Sequence, residues 1–154
     1  MANLEPLIQS IPVAPLKLAS LEGCRTLADQ VNNYLVSFRH ESPTNVGQAD
    51  SLQGYCADSY LLECECPRFG SGEGKGVLKE SVRGCDLFIM VDVTNYSLTY
   101  RVNGYENHMS PDNHYQDLKR IISAADGKAR RINVIMPFLY EGRQHKRSKR
   151  ESLD

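Results

Sequence analysis

The sequence predicts an α/β fold, a mostly parallel sheet with helices on both faces. Three observations carry this. Strand-like and helical segments follow one another in the order strand, helix, strands, helix, strand. "DLFIMVDV", residues 86–93, is a continuous apolar run of strand length, as expected of a strand covered on both faces. "SPDNHYQDLKRIISAADG", residues 110–127, carries the start and stop signals of one helix.

The elements follow in order. "PLKLAS" reads as a short first strand. Leu27, Val31, Tyr34, Leu35 and Phe38 then recur at helical spacing and predict a helix over 22–38 with that stripe buried. Residues 39–58 are polar and irregular, hence loop. "SYLLECE" and Val77 to Glu80 read as strands joined by a glycine-rich turn. In "LTYRVNGYENH" the pair Asn103-Gly104 sits between alternating residues, the strongest short signal for a hairpin. The next helix has Ser110 as its cap, Pro111 at the first position where no donor is needed, and Gly127 as its terminator. Its buried face is Tyr115, Leu118, Ile121, Ile122 and Ala125. "RINVIMP" reads as another buried strand. Ser148 and Glu151 stand at capping-box spacing, so a further helix is expected to begin at about 149, as in a piece of a longer protein.

The 154 residues fit one domain with a real core. The net charge of -1 is unevenly spread: Arg130 to Asp154 holds seven basic and three acidic residues, which points to an anionic partner for that end. Five cysteines, an odd number, do not make a secreted disulfide framework. Cys64 and Cys66 suit a strand better than a zinc site, and the four histidines lack ligand spacing, so no metal site is expected. No apolar run has membrane-spanning length, and a cytoplasmic protein is expected.

"PRFGSGEGKGVLKE", residues 67–80, looks like a phosphate loop and is not one. Only three residues separate Gly70 from Gly74, and Lys75 is followed by Gly76 where a Walker loop needs a hydroxyl for magnesium. Lys75 also occupies the third glycine position of the dinucleotide fingerprint. A tight turn between two strands remains. In a parallel α/β sheet, ligands bind beyond the carboxyl ends of the strands. That places the expected site just after "RINVIMP", where Arg143, Lys146, Arg147, Lys149 and Arg150 cluster.

"RFGSGEGKGVLKESVRGCDLFIM", "SPDNHYQDLKRI" and "RINVIMPFLYEGRQHKR" together resemble, in order and spacing, the N-terminal domain of the ribose-phosphate pyrophosphokinase (PRPP synthetase) family. The resemblance is firm from about residue 60 to 150 and looser over the first strand and helix. It implies a phosphoribosyltransferase-like three-layer fold with β-hairpin insertions. It also implies transfer of the diphosphoryl group of Mg-ATP to the C1 hydroxyl of ribose 5-phosphate, with Mg2+ as cofactor, in a homo-oligomer.

Carried over residue by residue, Phe69 would stack on adenine, with Ser71 and Glu73 beside it, reaching the nucleotide of a neighbouring subunit. Arg143, Gln144 and His145 would meet ATP in their own subunit, and Ser81 and Arg83 match positions near an allosteric phosphate site. The chain departs from the family at Ser71, where Asp or Asn is usual, at His145, where Asp is usual, and in its longer hairpin at 95–108. The family's His-containing diphosphate loop and its Asp-Asp…Thr-Gly-Gly-Thr ribose-phosphate loop do not occur, so these 154 residues alone are expected to be inactive.

Plainer readings stand beside these. Phe69 would be a partly buried turn aromatic, Arg83 would pair with Asp86, and His108, His114 and His145 would lie on the surface. The basic cluster would be a solvated helix start, although cations there oppose the helix dipole and so favour an anion. A non-catalytic homologue with a regulatory or associated role is the first rival. Nucleic-acid binding through the basic tail is the second, and it lacks interleaved exposed aromatics.

Overall fold

The structure, a computed structural model, describes residues 12–41 and 54–152. Strand β1 (Leu16–Ser20) leads through a 3-10 turn at Glu22–Cys24 into helix α1 (Arg25–Glu41). The helix thus takes in the start of the expected loop, and much of the rest of that loop lies outside the described residues. Five strands follow: β2 (Leu61–Leu62), β3 (Cys64–Glu65), β4 (Val77–Leu78), β5 (Asp86–Met90) and β6 (Thr99–Val102). Then come β7 (Tyr105–His108), helix α2 (Pro111–Ala124) and β8 (Arg131–Ile135).

β2, β1, β5 and β8 form one sheet in that order, and every pairing is parallel. β3 pairs antiparallel with β4, and β6 with β7, as two separate hairpins. The expected single strand over "SYLLECE" is therefore two short ones, the first in the main sheet and the second in a hairpin. Alternation along the strands sends Leu18, Phe88 and Met90 to one face against Cys24, Ala28 and Val31. Ala19, Leu87, Ile89 and Val91 face the other way, against Leu118, Ile121 and Ala125 of α2. Three layers result, as the sequence predicts.

Two expectations about burial are corrected. In α1 the buried residues are Ala28 and Asn32, while Leu27 and Tyr34 of the expected stripe are exposed. Small side chains at Cys24 and Ala28 let the helix approach the sheet. The turned face also lets Asn32 Oδ1 accept from the backbone N–H of Tyr60 at 2.8 Å, which satisfies a buried donor. β8 is not a buried strand: among the described residues it pairs only with β5, and Val134 and Ile135 remain exposed.

α2 begins as expected, with the Ser110 hydroxyl accepting from Asn113 N and Pro111 in the first turn. It ends at Ala124, followed by Asp126 and Gly127 with positive φ. At the β6–β7 turn, Asn103 and Gly104 both take positive φ (52° and 82°), as that hairpin type requires. The expected helix from about 149 is absent over 148–152, and residues 153–154 lie outside the description. Ser148 N donates to Glu151 Oε2 at 3.2 Å without a helix forming around the contact, since one isolated turn does not offset the cost of nucleation. The dipole argument for an anion at that point falls with it. Among the described residues no helix is long and apolar enough to cross a membrane.

All five cysteines are free. Burial pushes the Cys24 and Cys64 thiols up to about 11, and Cys66, with the Asp117 carboxylate adding to burial, up to about 12. A raised folded-state value means that the unfolded chain loses its thiol protons first. The stabilisation is therefore complete below the ordinary thiol value of 9.0 and drains away as pH rises towards 11 and beyond. Urea unfolding at pH 9 and pH 11 is expected to show a fall that shrinks in a Cys24→Ala/Cys64→Ala/Cys66→Ala protein. An equal fall in both proteins would refute the assignment.

Candidate functional site

The glycine stretch folds as a closed hairpin tip. Phe69 N donates to Glu73 O at 2.8 Å, Gly72 N to Phe69 O at 2.9 Å and Lys75 N to Pro67 O at 3.0 Å. Those amides are consumed inside the turn, so the loop does not offer them to phosphate, in line with the failed motif spacing. Phe69 is 55 % exposed at the tip, and the Ser71 hydroxyl donates to Glu73 Oε2 at 2.9 Å. Phe69 is thus a turn aromatic with more than half of its surface open to solvent.

Two of the glycines answer to packing. A Cβ on Gly76 would stand 2.6 Å from the carbonyl carbon of Arg120, so β4 lies directly on the α2 backbone. A Cβ on Gly74 would strike the guanidinium groups of Arg68 and Arg120, which pass over it to reach Asp117. Arg68 forks onto Asp117 at 2.6 and 2.8 Å, and Arg120 adds a third bond at 2.6 Å. The Arg68 and Asp117 side chains are only 6 % and 5 % exposed. Hydrogen bonding to Asp117 holds Arg68 further above its ordinary range. This ion triad was not singled out from sequence. The available signal was Asp117 lying next to Leu118 on the apolar face of α2, where an acid needs a cation. His114 shares that face and is buried, with Nε2 2.7 Å from Asn95 O, which corrects the expectation that it lies on the surface. His108 and His145 are exposed.

Beyond the carboxyl ends of β5 and β8 lies a crevice of about 410 Å³. Tyr96, Phe138 and Tyr140 give it aromatic walls, Thr94 and Gln144 polar ones, and Arg143 a positive charge. Tyr140 is held edge-on to Tyr115, with centroids 5.5 Å apart, and its hydroxyl donates to Asp112. That bond pushes the phenol up to about 12, so it stays a neutral donor. Glu141 takes φ 64°, an uncommon conformation for a non-glycine residue, at the bend that brings Arg143 back to the crevice. Arg143 is exposed and makes no ion pair among the described residues. Gln144 Nε2 donates to Lys146 O at 2.6 Å, and His145 Nδ1 is 3.2 Å from Arg143 O.

Of the expected nucleotide residues, Arg143 and Gln144 line this crevice; Phe69, Ser71, Glu73 and His145 do not. Ser81 and Arg83 are exposed at the amino end of β5, the opposite edge of the sheet from the crevice. Arg83 does not pair with Asp86, because Arg131 takes that carboxylate at 2.6 and 2.9 Å and Asn133 shares it. Among the described residues no three His, Cys, Asp or Glu side chains converge as a metal site.

Comparison with curated proteins returns no match. The backbone is similar to that of phosphoribosylpyrophosphate synthetase from Mycobacterium smegmatis, with a TM-score of 0.57 and 24 % identity, a likeness of fold. The match covers 90 % of this chain and 35 % of that one, so this chain spans 35 % of the length of that structure. Residues 16–154 match the family described as the N-terminal domain of ribose phosphate pyrophosphokinase. With nearly the whole chain inside that match, it belongs to this family.

Proposed function

We propose that the chain is the nucleotide-binding part of a ribose-phosphate diphosphokinase, which transfers the diphosphoryl group of Mg-ATP to ribose 5-phosphate to make PRPP. The observation that carries this reading is the crevice behind β8, where a guanidinium with no ion pair among the described residues stands among aromatic walls. A purine needs a flat apolar surface and a few polar contacts. A triphosphate needs positive charge, and a guanidinium fork suits phosphate oxygens better than an ammonium point charge. Arg143 and Gln144 hold the nucleotide, with His145 and the neighbouring cations at its rim. Phe69, Ser71 and Glu73, which lie outside the crevice, serve the nucleotide of a second subunit, and this requires a homo-oligomer. Ser81 and Arg83 form a separate anion site for regulation.

Phosphoryl-type transfer depends mainly on positioning and charge stabilisation. Magnesium neutralises phosphate charge when it accompanies ATP. In this reading the ion enters together with ATP, as part of the substrate. The odd number of cysteines, which does not suit a secreted disulfide framework, supports a cytoplasmic setting.

Calorimetric titration of the chain with Mg-ATP and with single-stranded RNA at physiological salt tests the reading. ATP is expected to bind more tightly, and Arg143→Ala to weaken it about 10- to 100-fold, the loss of one charge-assisted contact. Tighter RNA binding, or an unchanged ATP affinity in Arg143→Ala, would overturn it.

A further inference from the structure

The β6–β7 hairpin has no part in the nucleotide reading, yet it lies against the turn that carries Phe69. Residues along β6 alternate between exposed and half-buried, with Tyr100 and Val102 on the covered side, whereas β7 is exposed throughout. Two contacts tie that side of β6 to the glycine turn. The guanidinium carbon of Arg68 stands 5.1 Å from the centre of the Tyr100 ring. The space beside Gly72 ends at Cγ2 of Val102, 3.9 Å from where a Cβ would be. Arg68 immediately precedes Phe69, and its guanidinium is held by the Asp117 fork as well as by the Tyr100 ring. The base of the turn is thus gripped by α2 and by β6.

We propose that Tyr100 and Val102 make β6 a positioning wall, which fixes the orientation of the Phe69 turn so that its ring is preset for stacking on a purine. This rests on the nucleotide reading above. An exposed ring on a loose turn would lose orientational freedom on binding; a turn already held loses less, and the difference appears as affinity. Tyr100 does not touch the nucleotide and acts through Arg68.

The chain has no tryptophan, so Phe69→Trp places a single fluorophore at the tip. Time-resolved anisotropy without nucleotide reads its nanosecond wobble. In that background Tyr100→Leu and Val102→Ala are each expected to increase the wobble, and Tyr100→Phe, which keeps the ring, to restore it. If Tyr100→Leu is unfolded by circular dichroism, Val102→Ala decides. Unchanged wobble overturns the wall. Quenching of Trp at this position by ATP is read separately. No quenching contradicts the shared nucleotide site and leaves the wobble to judge the wall. With quenching present, Tyr100→Leu is expected to raise the Kd for ATP about fivefold, and an unchanged Kd overturns the positioning role.

Discussion

Asp117→Ala is expected to lose about 3–5 kcal/mol of folding stability, because it removes the acid that Arg68 and Arg120 share and strands a buried guanidinium. Against a total of about 5–15 kcal/mol for a domain, that brings the protein close to unfolding at room temperature. The loss goes beyond one contact, because Asp117 ties α2 to the base of the glycine turn, and without it Arg68 must find water through packed side chains. Glu65→Ala, which breaks the half-exposed pair with Lys79, is the comparison, and its expected effect is within about 1 kcal/mol. Urea unfolding of both variants checks the contrast. If Asp117→Ala costs no more than Glu65→Ala, the buried triad is not what holds the turn to the helix.

The second large effect is expected at Gly76. Alanine there meets the Arg120 carbonyl carbon at 2.6 Å and its Cβ at 3.0 Å, and both belong to a helix that cannot rotate away without withdrawing Leu118 and Ile121 from the core. Overpacking usually costs about 1–3 kcal/mol, and a Cβ driven into a helix backbone belongs at the top of that range. Gly70→Ala in the same loop meets nothing within 4 Å, so it is expected to be neutral or slightly stabilising by restricting the unfolded chain. Thermal unfolding of the two variants separates them. Equal melting temperatures would mean that β4 and α2 are not in the contact described.

These two cases also explain how far the sequence could be read. The apolar run at 86–93 and the capped helix at 110–127 each declare their environment locally: the first forms β5 over Asp86–Met90, with Val91 and Val93 still buried beyond it, and the second forms α2. The Asn103-Gly104 hairpin, whose turn chemistry is written in two residues, formed as expected. "RINVIMP" looks like a central strand, but a strand's neighbours are not written in its own residues, and β8 is at the edge. The α1 stripe was displaced because Asn32, a polar residue, is turned inward to serve the Tyr60 amide, a long-range demand that hydrophobic periodicity does not register. Asp117, Arg68 and Arg120 are separated by up to 52 residues and meet only through the fold. At the candidate site, Arg143 was legible as a cation behind the last strand, whereas Gln144 was named only through the family resemblance. Tyr96, which lines the same crevice from the loop after β5, was not legible.

The central claim is that the crevice behind β8 takes a purine triphosphate and that Phe69 completes the site from a second subunit. Photolabelling with an azidopurine analogue of ATP, followed by peptide mapping, tests it most directly. The expected labels fall on two peptides, one spanning 138–144 and one spanning 69–73, and unlabelled ATP abolishes both. Label confined to the 146–150 basic segment, or label that excess ATP does not displace, would contradict the account.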